Sequence, residues 1–400
     1  MPETVYLLGA GFNLAVTHNT EESRWPPTSA NLMKLVVSSD HFIRHRRAIA
    51  GSVSLTELFD RIRHYWHIEE EGLKHLDFDI EEALTLFDLQ AAHAGNGDEM
   101  LDVLRSSIAL RTLLTDYLAD VSIACSGLPR GYRFGLRVLE EGADVLTFNY
   151  DSIAEDAIAL ASGLSGSTSH SPLPSPLQRL DSESPLSRLQ TLFSLPWKIW
   201  LASGFQFSGL SVPTGMGLGN SDPDFYSKPG NELYESKRVL KLHGSINWWT
   251  PQAARANALG SQAKNECPGL RAPVSSQIKW LNGSHPTSGA WFEDPVIVPP
   301  VLSKQFNDLP FPLVWAQARA SLESCRRLVI VGYSFPPTDF NTKKLFLDAF
   351  AGETKLLEDV IIVNPSSDSI QVVQRLTNID SKAIRRLDFD EYLDMPSSLG

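Results

Sequence analysis

Apolar residues along this chain fall into two rhythms. Short continuous runs recur at Val5–Leu8, Val145-Leu146 with Phe148, Arg238–Leu242, Pro295–Pro300, Arg327–Val331 and Asp359–Val363. Runs of this length, rich in β-branched residues and bounded by glycine, proline or asparagine, predict short strands, the Arg327–Val331 run a fully buried one. Other stretches carry a helical period. Leu55, Leu58, Phe59, Ile62 and Trp66 share one face, and Val103, Leu104, Ile108, Leu114, Tyr117, Leu118 and Val121 mark a second, longer helix. Asp79-Ile80-Glu81-Glu82 reads as a further helix start, its acids suited to the positive end of the helix dipole. Helices are also predicted at Ser152–Ala161, Leu313–Cys325 and Asn341–Phe350, and Thr28 or Ser29 is placed to cap one after Pro26-Pro27. Ala383–Leu387 offers a last strand. Strand–loop–helix alternation predicts an α/β fold, a Rossmann-like parallel sheet with helices on both faces.

Three stretches interrupt that alternation within a single domain spanning 1–400. Residues 40–130 form a helical insertion, expected to be a lid or side domain. Residues 163–236 and 251–293 are loop-rich. The first of these contains a Ser/Pro/Gly-rich stretch, an aromatic group (Phe193, Trp197, Trp200, Phe205) and the run Gly215–Gly219. Trp248 and Trp249 follow a strand end and could supply an aromatic wall.

Composition narrows the function classes. With 42% hydrophobic and 20% charged residues, 400 residues can bury a sizeable core. A net charge of −12 opposes direct nucleic-acid binding through bulk charge. No apolar run approaches a membrane span, and the chain opens almost at once on a strand, without a signal-peptide pattern. Its three cysteines, Cys125, Cys267 and Cys325, lie far apart, so neither a disulfide framework nor a four-cysteine zinc site is expected. No metal-ligating set is assigned; His64, His67 and His75 read as a solvated helix face. A reducing, cytoplasmic compartment fits best.

The chemistry-bearing residues gather at strand ends: Gly9-Ala10-Gly11, Asn149-Tyr150-Asp151, His243-Gly244-Ser245, Gly332-Tyr333-Ser334 and Asn364. In open parallel sheets ligands bind outside the carboxyl ends of the strands. Glycines let the backbone approach a phosphate, Asn offers a donor and an acceptor, Asp only acceptors, and His a general base. The dinucleotide fingerprint would want a third glycine where Leu14 stands, so the ordinary Rossmann pattern fails. Asp151 or Ser152 could instead simply cap a helix.

The order and spacing of these strand ends resemble the sirtuin-type (SIR2-like) family, which has a Gly-Ala-Gly loop, an Asn-x-Asp loop, a catalytic His-Gly, a Gly-x-Ser loop and a late strand ending in Asn. The likeness covers the sheet framework, about half the chain. It implies NAD bound across the strand ends: Gly9, Ala10, Gly11, Asn13, Gly332 and Ser334 toward the phosphates and adjoining ribose, and Asn364 toward the adenosine half. It implies Asn149 positioning a water at the nicotinamide ribose, Asp151 accepting from the nicotinamide amide, and His243 acting on the ribose hydroxyls as a base. Deacylating sirtuins carry four zinc cysteines after the His-Gly, where this chain has only Cys267; their Gln before the Asn is Phe148, and Pro26-Pro27-Thr28 replaces their Asp-Phe-Arg. The zinc-less group from bacterial antiphage systems is the nearer likeness, through Gly9–Gly11, Ile80–Glu82, Phe148–Asp151 and Leu242–Ser245. It implies an NAD hydrolase without zinc, an NAD-depleting effector that is a homo-oligomer or works with a separate ATPase or nuclease partner. A non-catalytic NAD- or nucleotide-binding module and a deacylase or ADP-ribosyltransferase are the alternatives.

Overall fold

The computed structural model describes residues 3–21, 26–28, 31–39, 53–95, 97–125, 127–165, 199–204, 210–211, 235–251, 269–271, 292–298, 308–337, 339–352, 356–364 and 368–396. Within them the strands are β1 (Thr4–Leu8), β2 (Asp144–Thr147), β3 (Ile199–Ala202), β4 (Leu210–Ser211), β5 (Glu235–Lys241), β6 (Gly244–Pro251), β7 (Gly269–Arg271), β8 (Phe292–Ile297), β9 (Arg327–Val331), β10 (Asp359–Val363) and β11 (Ile384–Leu387). The helices are α1 (Ala10–Thr17), α2 (Leu32–Ser38), α3 (Val53–Trp66), α4 (Ile80–His93), α5 (Gly97–Cys125), α6 (Pro129–Glu140), α7 (Ile153–Ser165), α8 (Phe311–Ser324), α9 (Phe340–Phe350), α10 (Asp368–Thr377) and α11 (Phe389–Asp394).

One sheet runs in the order β11-β10-β9-β1-β2-β5-β3, and every pairing in it is parallel. Because side chains alternate across a strand, β1 divides its residues between two cores. Tyr6 and Leu8 pack with Phe12, Val16, Phe134 and Val138 on one face; Val5 and Leu7 pack with Phe311, Val314, Leu345 and Phe346 on the other. The fold is therefore α/β, with a parallel sheet flanked by helices on both faces, Rossmann-like in its general form. The helical block 53–125 belongs to the first face: Leu58, Ile62, Leu84, Phe87, Leu110 and Leu114 join the same buried cluster as Tyr6.

The chain leaves β1 toward β2 and leaves β9 toward β10, on the opposite side. The sequence order reverses between β1 and β9, and such a switch point opens a crevice at the carboxyl ends of the two strands.

The two stretches expected to be loop-rich contribute strands. β3, within 163–236, extends the large sheet beyond β5. β4, β6, β7 and β8 make a second sheet in the order β4-β7-β6-β8. Trp248 is not a wall of a site: it lies in β6 and is only 1% exposed, within the second core. The cap of α2 is also different. Asn31, not Thr28 or Ser29, is the capping position, its Oδ1 accepting from the Thr28 N–H at 2.7 Å while the Thr28 carbonyl accepts from the Asn31 and Leu32 N–H groups. Among the described residues no helix is long and apolar enough to cross a membrane.

At the far side of the first core, α11 is fixed to α6 by a closed polar network. Tyr6 Oη donates to Glu141 Oε2 at 2.8 Å and lies 2.6 Å from the Tyr392 hydroxyl. Arg137 Nε donates to Glu141 Oε1 at 3.0 Å, its Nη1 donates to the carbonyls of Tyr392 and Met395, and its guanidinium sits 4.4 Å over the Tyr392 ring. Arg130 and Arg133 pair outside this network with Asp390 and Asp394.

Candidate active site

Two hydrogen-bonded clusters stand at the carboxyl ends of the strands. The first joins β1 and β2. Asn149, just past β2, donates from Nδ2 to the Gly9 carbonyl at 3.1 Å and to Asn13 Oδ1 at 3.2 Å. Asn13, in the first turn of α1, donates in turn to Asp151 Oδ2 at 2.6 Å. Asp151 Oδ1 accepts from the Ile153 N–H at 3.1 Å, so this carboxylate also caps the start of α7. Buried Lys241 donates to the Asp151 carbonyl and pairs with Glu155 at 2.8 Å, neutralising charge beneath the loop. Asn13, Asn149 and Asp151 thus form one chain, with Asn13 as the link.

The second cluster joins β5 and β9. The His243 carbonyl accepts from the Val298 N–H at 2.8 Å, and Leu242 donates to the Thr147 carbonyl at 2.9 Å, which fixes the backbone on both sides of the strand end. The next residue, Gly244, has φ +85°, and a Cβ there would meet the Val296 carbonyl oxygen at 2.1 Å, so only glycine fits this turn. The His243 ring is 4.9 Å from that of Phe148, and its Nε2 lies 3.7 Å from Asp339 Oδ2. Asp339 Oδ2 also accepts from the hydroxyls of Tyr333 and Thr342, each at 2.7 Å. Phe148 stacks on Tyr333 at 4.3 Å and 21°, so its ring is where the clusters meet.

The loops after β1 and β9 touch directly. Gly332 has φ +63°, and a Cβ on it would lie 2.2 Å from the Gly11 carbonyl carbon. The Gly9, Gly11 and Phe12 N–H groups donate to the carbonyls of Val331, Gly332 and Gly9. Gly9 and Gly11 therefore serve this close contact, and their amides are not left to face a phosphate. Ala10 and Ser334 are exposed at the crevice, and the positive end of α1 opens there. Asn364 donates to the Tyr333 carbonyl at 3.3 Å, tying the end of β10 to the same loop.

The electrostatics follow from burial. Burial, with Glu81 and Asp339 nearby, holds the Tyr150 phenol well above its ordinary value, and Arg111 opposes this. Burial and then Asp339 do the same to Tyr333. Burial pushes the Cys325 thiol up to about 12, which leaves it inert as a nucleophile. The Tyr150 hydroxyl donates to the Val298 carbonyl at 3.0 Å and its backbone carbonyl accepts from the Ile246 N–H at 2.9 Å, bracing the Asn149 loop against β6 and β8.

Asp339 and Lys241 take part in these clusters without having been singled out by sequence, and Tyr150 and Tyr333 stood there only as members of their motifs, with no role of their own. An Asp directly before a helix signals only a cap, and nothing in the sequence places it against a histidine almost a hundred residues earlier. Cys267, Gly215–Gly219, Phe193, Trp197 and Phe205 lie outside the described residues. Searched against protein-family models and against curated proteins, the chain matches none.

Proposed function

We propose that this chain is an NAD+ glycohydrolase that splits the bond between nicotinamide and ribose. The observation that carries this reading is the Asn149–Asn13–Asp151 chain at the switch-point crevice, with His243 on the next strand. A site that only held a nucleotide would need neither a positioned carboxamide nor a base. Cleavage of such a bond passes through an oxocarbenium-like state. The leaving nicotinamide already carries positive charge and needs no general acid. The protein's task is to orient the ribose, place a water and accept its proton. Asn149, held by Gly9 and Asn13, places the water at the ribose carbon. Asp151 holds Asn13 and offers remaining lone pairs to the nicotinamide amide. His243 acts on the ribose hydroxyls. Ala10, Ser334 and the end of α1 face the phosphates, and Asn364 closes the adenosine side.

An NAD hydrolase without restraint would exhaust its host's NAD. Control through self-association or a separate ATPase or nuclease partner, as in the antiphage systems the sequence resembles, accords with that. The second reading, a nucleotide-binding module, is favoured by one observation: the Asn149 amide is engaged within the protein, as a structural turn residue's would be. Incubating NAD with the purified protein, alone and with candidate partners, separates the two. Nicotinamide and ADP-ribose in equal amounts support hydrolysis. NAD binding without nicotinamide under every condition sinks it in favour of the module.

A further inference from the structure

The Asp339 side chain is wholly buried in the loop leading to α9. A buried carboxylate is costly unless its surroundings compensate. It accepts from the hydroxyls of Tyr333 and Thr342 on Oδ2, and from the Thr342 N–H on Oδ1 at 3.3 Å. Capping α9 accounts for the Oδ1 bond. It does not account for Oδ2 standing 3.7 Å from His243 Nε2 on a separate strand, with the Tyr333 hydroxyl holding it there. We infer that Asp339 is the positioning residue of His243, fixing the ring's orientation and raising the basicity of the imidazole.

In the reaction a ribose or water O–H bond breaks, its proton moves to the imidazole, and the Asp339 carboxylate stands beside the imidazolium that forms. At 3.7 Å the contact is an ion-pair distance, and contacts of this kind tighten in the reacting complex. Other groups face the ring's surroundings. Tyr150 approaches from the β2 loop, with its ring centre 6.5 Å away, and Tyr333 from the β9 loop. Glu81 on α4 acts on both tyrosines and Arg111 on α5 acts on Tyr150. Lys241, on the same strand, is bound to Asp151 and Glu155. Among the described residues, Asp339 brings a carboxylate into ion-pair contact with the imidazole.

The pairing stands on geometry; its catalytic consequence rests on the hydrolase reading. Asp339→Asn separates capping from charge, because Asn caps a helix as well as Asp. The imidazole of His243 is titrated by NMR in the wild-type protein and the variant, with melting temperature and nicotinamide release against pH measured in parallel. The expected result is a folded variant whose His243 titrates lower by about one pH unit or more. Nicotinamide release should fall by about tenfold or more, with its rising limb moved to lower pH, and Asp339→Glu should restore part of it. If Asp339→Asn does not fold, Asp339→Ser, also a capping residue without charge, gives the same reading. A His243 titration unchanged in a folded variant overturns the inference, whatever happens to NAD. A shifted titration in a protein that never releases nicotinamide keeps the pairing and rejects the hydrolase reading.

Discussion

Two buried polar networks sit on opposite sides of this sheet's story, and they are built to different tolerances. Around Glu141, the carboxylate meets Arg137 and Tyr6 at 3.0 and 2.8 Å, and Arg137 is further held by three backbone carbonyls. Charge is matched by charge, and every contact has hydrogen-bond length. Around Asp339, Oδ2 accepts from two hydroxyls and the His243 imidazole stands off at 3.7 Å. The first network is closed and fastens α11 to α6. The second sets an imidazole beside a carboxylate at a strand end. Satisfied buried charge rigidifies; a looser pair at a strand end leaves room for chemistry.

The sharpest break in that comparison comes from the site. Asn149→Ala and His243→Ala should each lower nicotinamide release by a factor of about 10²–10⁴, because small misplacements of water and loss of a base are costly. Each should leave a folded protein that binds NAD, checked by melting temperature and calorimetric titration. Near wild-type release by both folded variants would remove the catalytic assignment.

The closed network should respond in the opposite currency. Glu141→Leu strands the Arg137 cation in the core and should cost about 3–5 kcal/mol of stability, read by urea unfolding. The rate per folded molecule should stay that of the wild type, and a selective loss of rate would show that this network reaches the site.

The same network sets an alkaline limit. Burial, with Glu141 nearby, raises the folded-state values of both Tyr6 and Tyr392. Unfolded tyrosines ionise near pH 10 while the folded ones stay neutral. Above that pH the unfolded state binds fewer protons, so stability falls as pH rises. The contribution is whole below about pH 10 and should fade by about 1.4 kcal/mol per pH unit per tyrosine above it, until the raised folded values are reached. Unfolding curves from pH 8 to 12 test this, and Tyr6→Phe should flatten the decline. The smallest effect belongs to the rim of the network: the exposed Arg133–Asp394 pair should contribute no more than about 0.5 kcal/mol, measured by a double-mutant cycle.

The sheet was legible because buried parallel strands leave continuous apolar runs. Leu328–Val331 and Val360–Val363 could be placed almost to the residue, since nothing but a two-sided core requires such runs. Helices α3 and α5 showed through their period. β4 and β7 did not, because two or three residues carry no period to read, and β3, four residues inside a longer apolar and aromatic stretch, has no alternation to mark its bounds. The same logic divides the site. Asn149, Asp151 and His243 stood out as polar residues closing apolar strands, whereas Asp339 sits beyond a Pro-rich loop and resembles any helix cap. Its meeting with His243 is a product of strand order, which a local pattern does not encode. Trp248 misled for the converse reason: an aromatic pair after a turn looks like a wall until pairing with β7 and β8 turns one ring inward.

The central place of β1 has a consequence for how the chain assembles as it is made. One neighbour, β2, lies about 140 residues downstream, and the other, β9, roughly 320. At about 5–20 residues per second, β1 waits on the order of 15–60 seconds on the ribosome for its second partner. For that interval its β9-facing edge has no strand to pair with, and the crevice between the glycine loops does not exist. Nascent chains stalled before residue 327 should therefore be cut by protease near β1, and chains stalled well past 363 should be protected. Full protection at the earlier stall would mean that another segment covers that edge first. Under the hydrolase reading the unfinished chain should release no nicotinamide, because the loops after β9 and β10 arrive last.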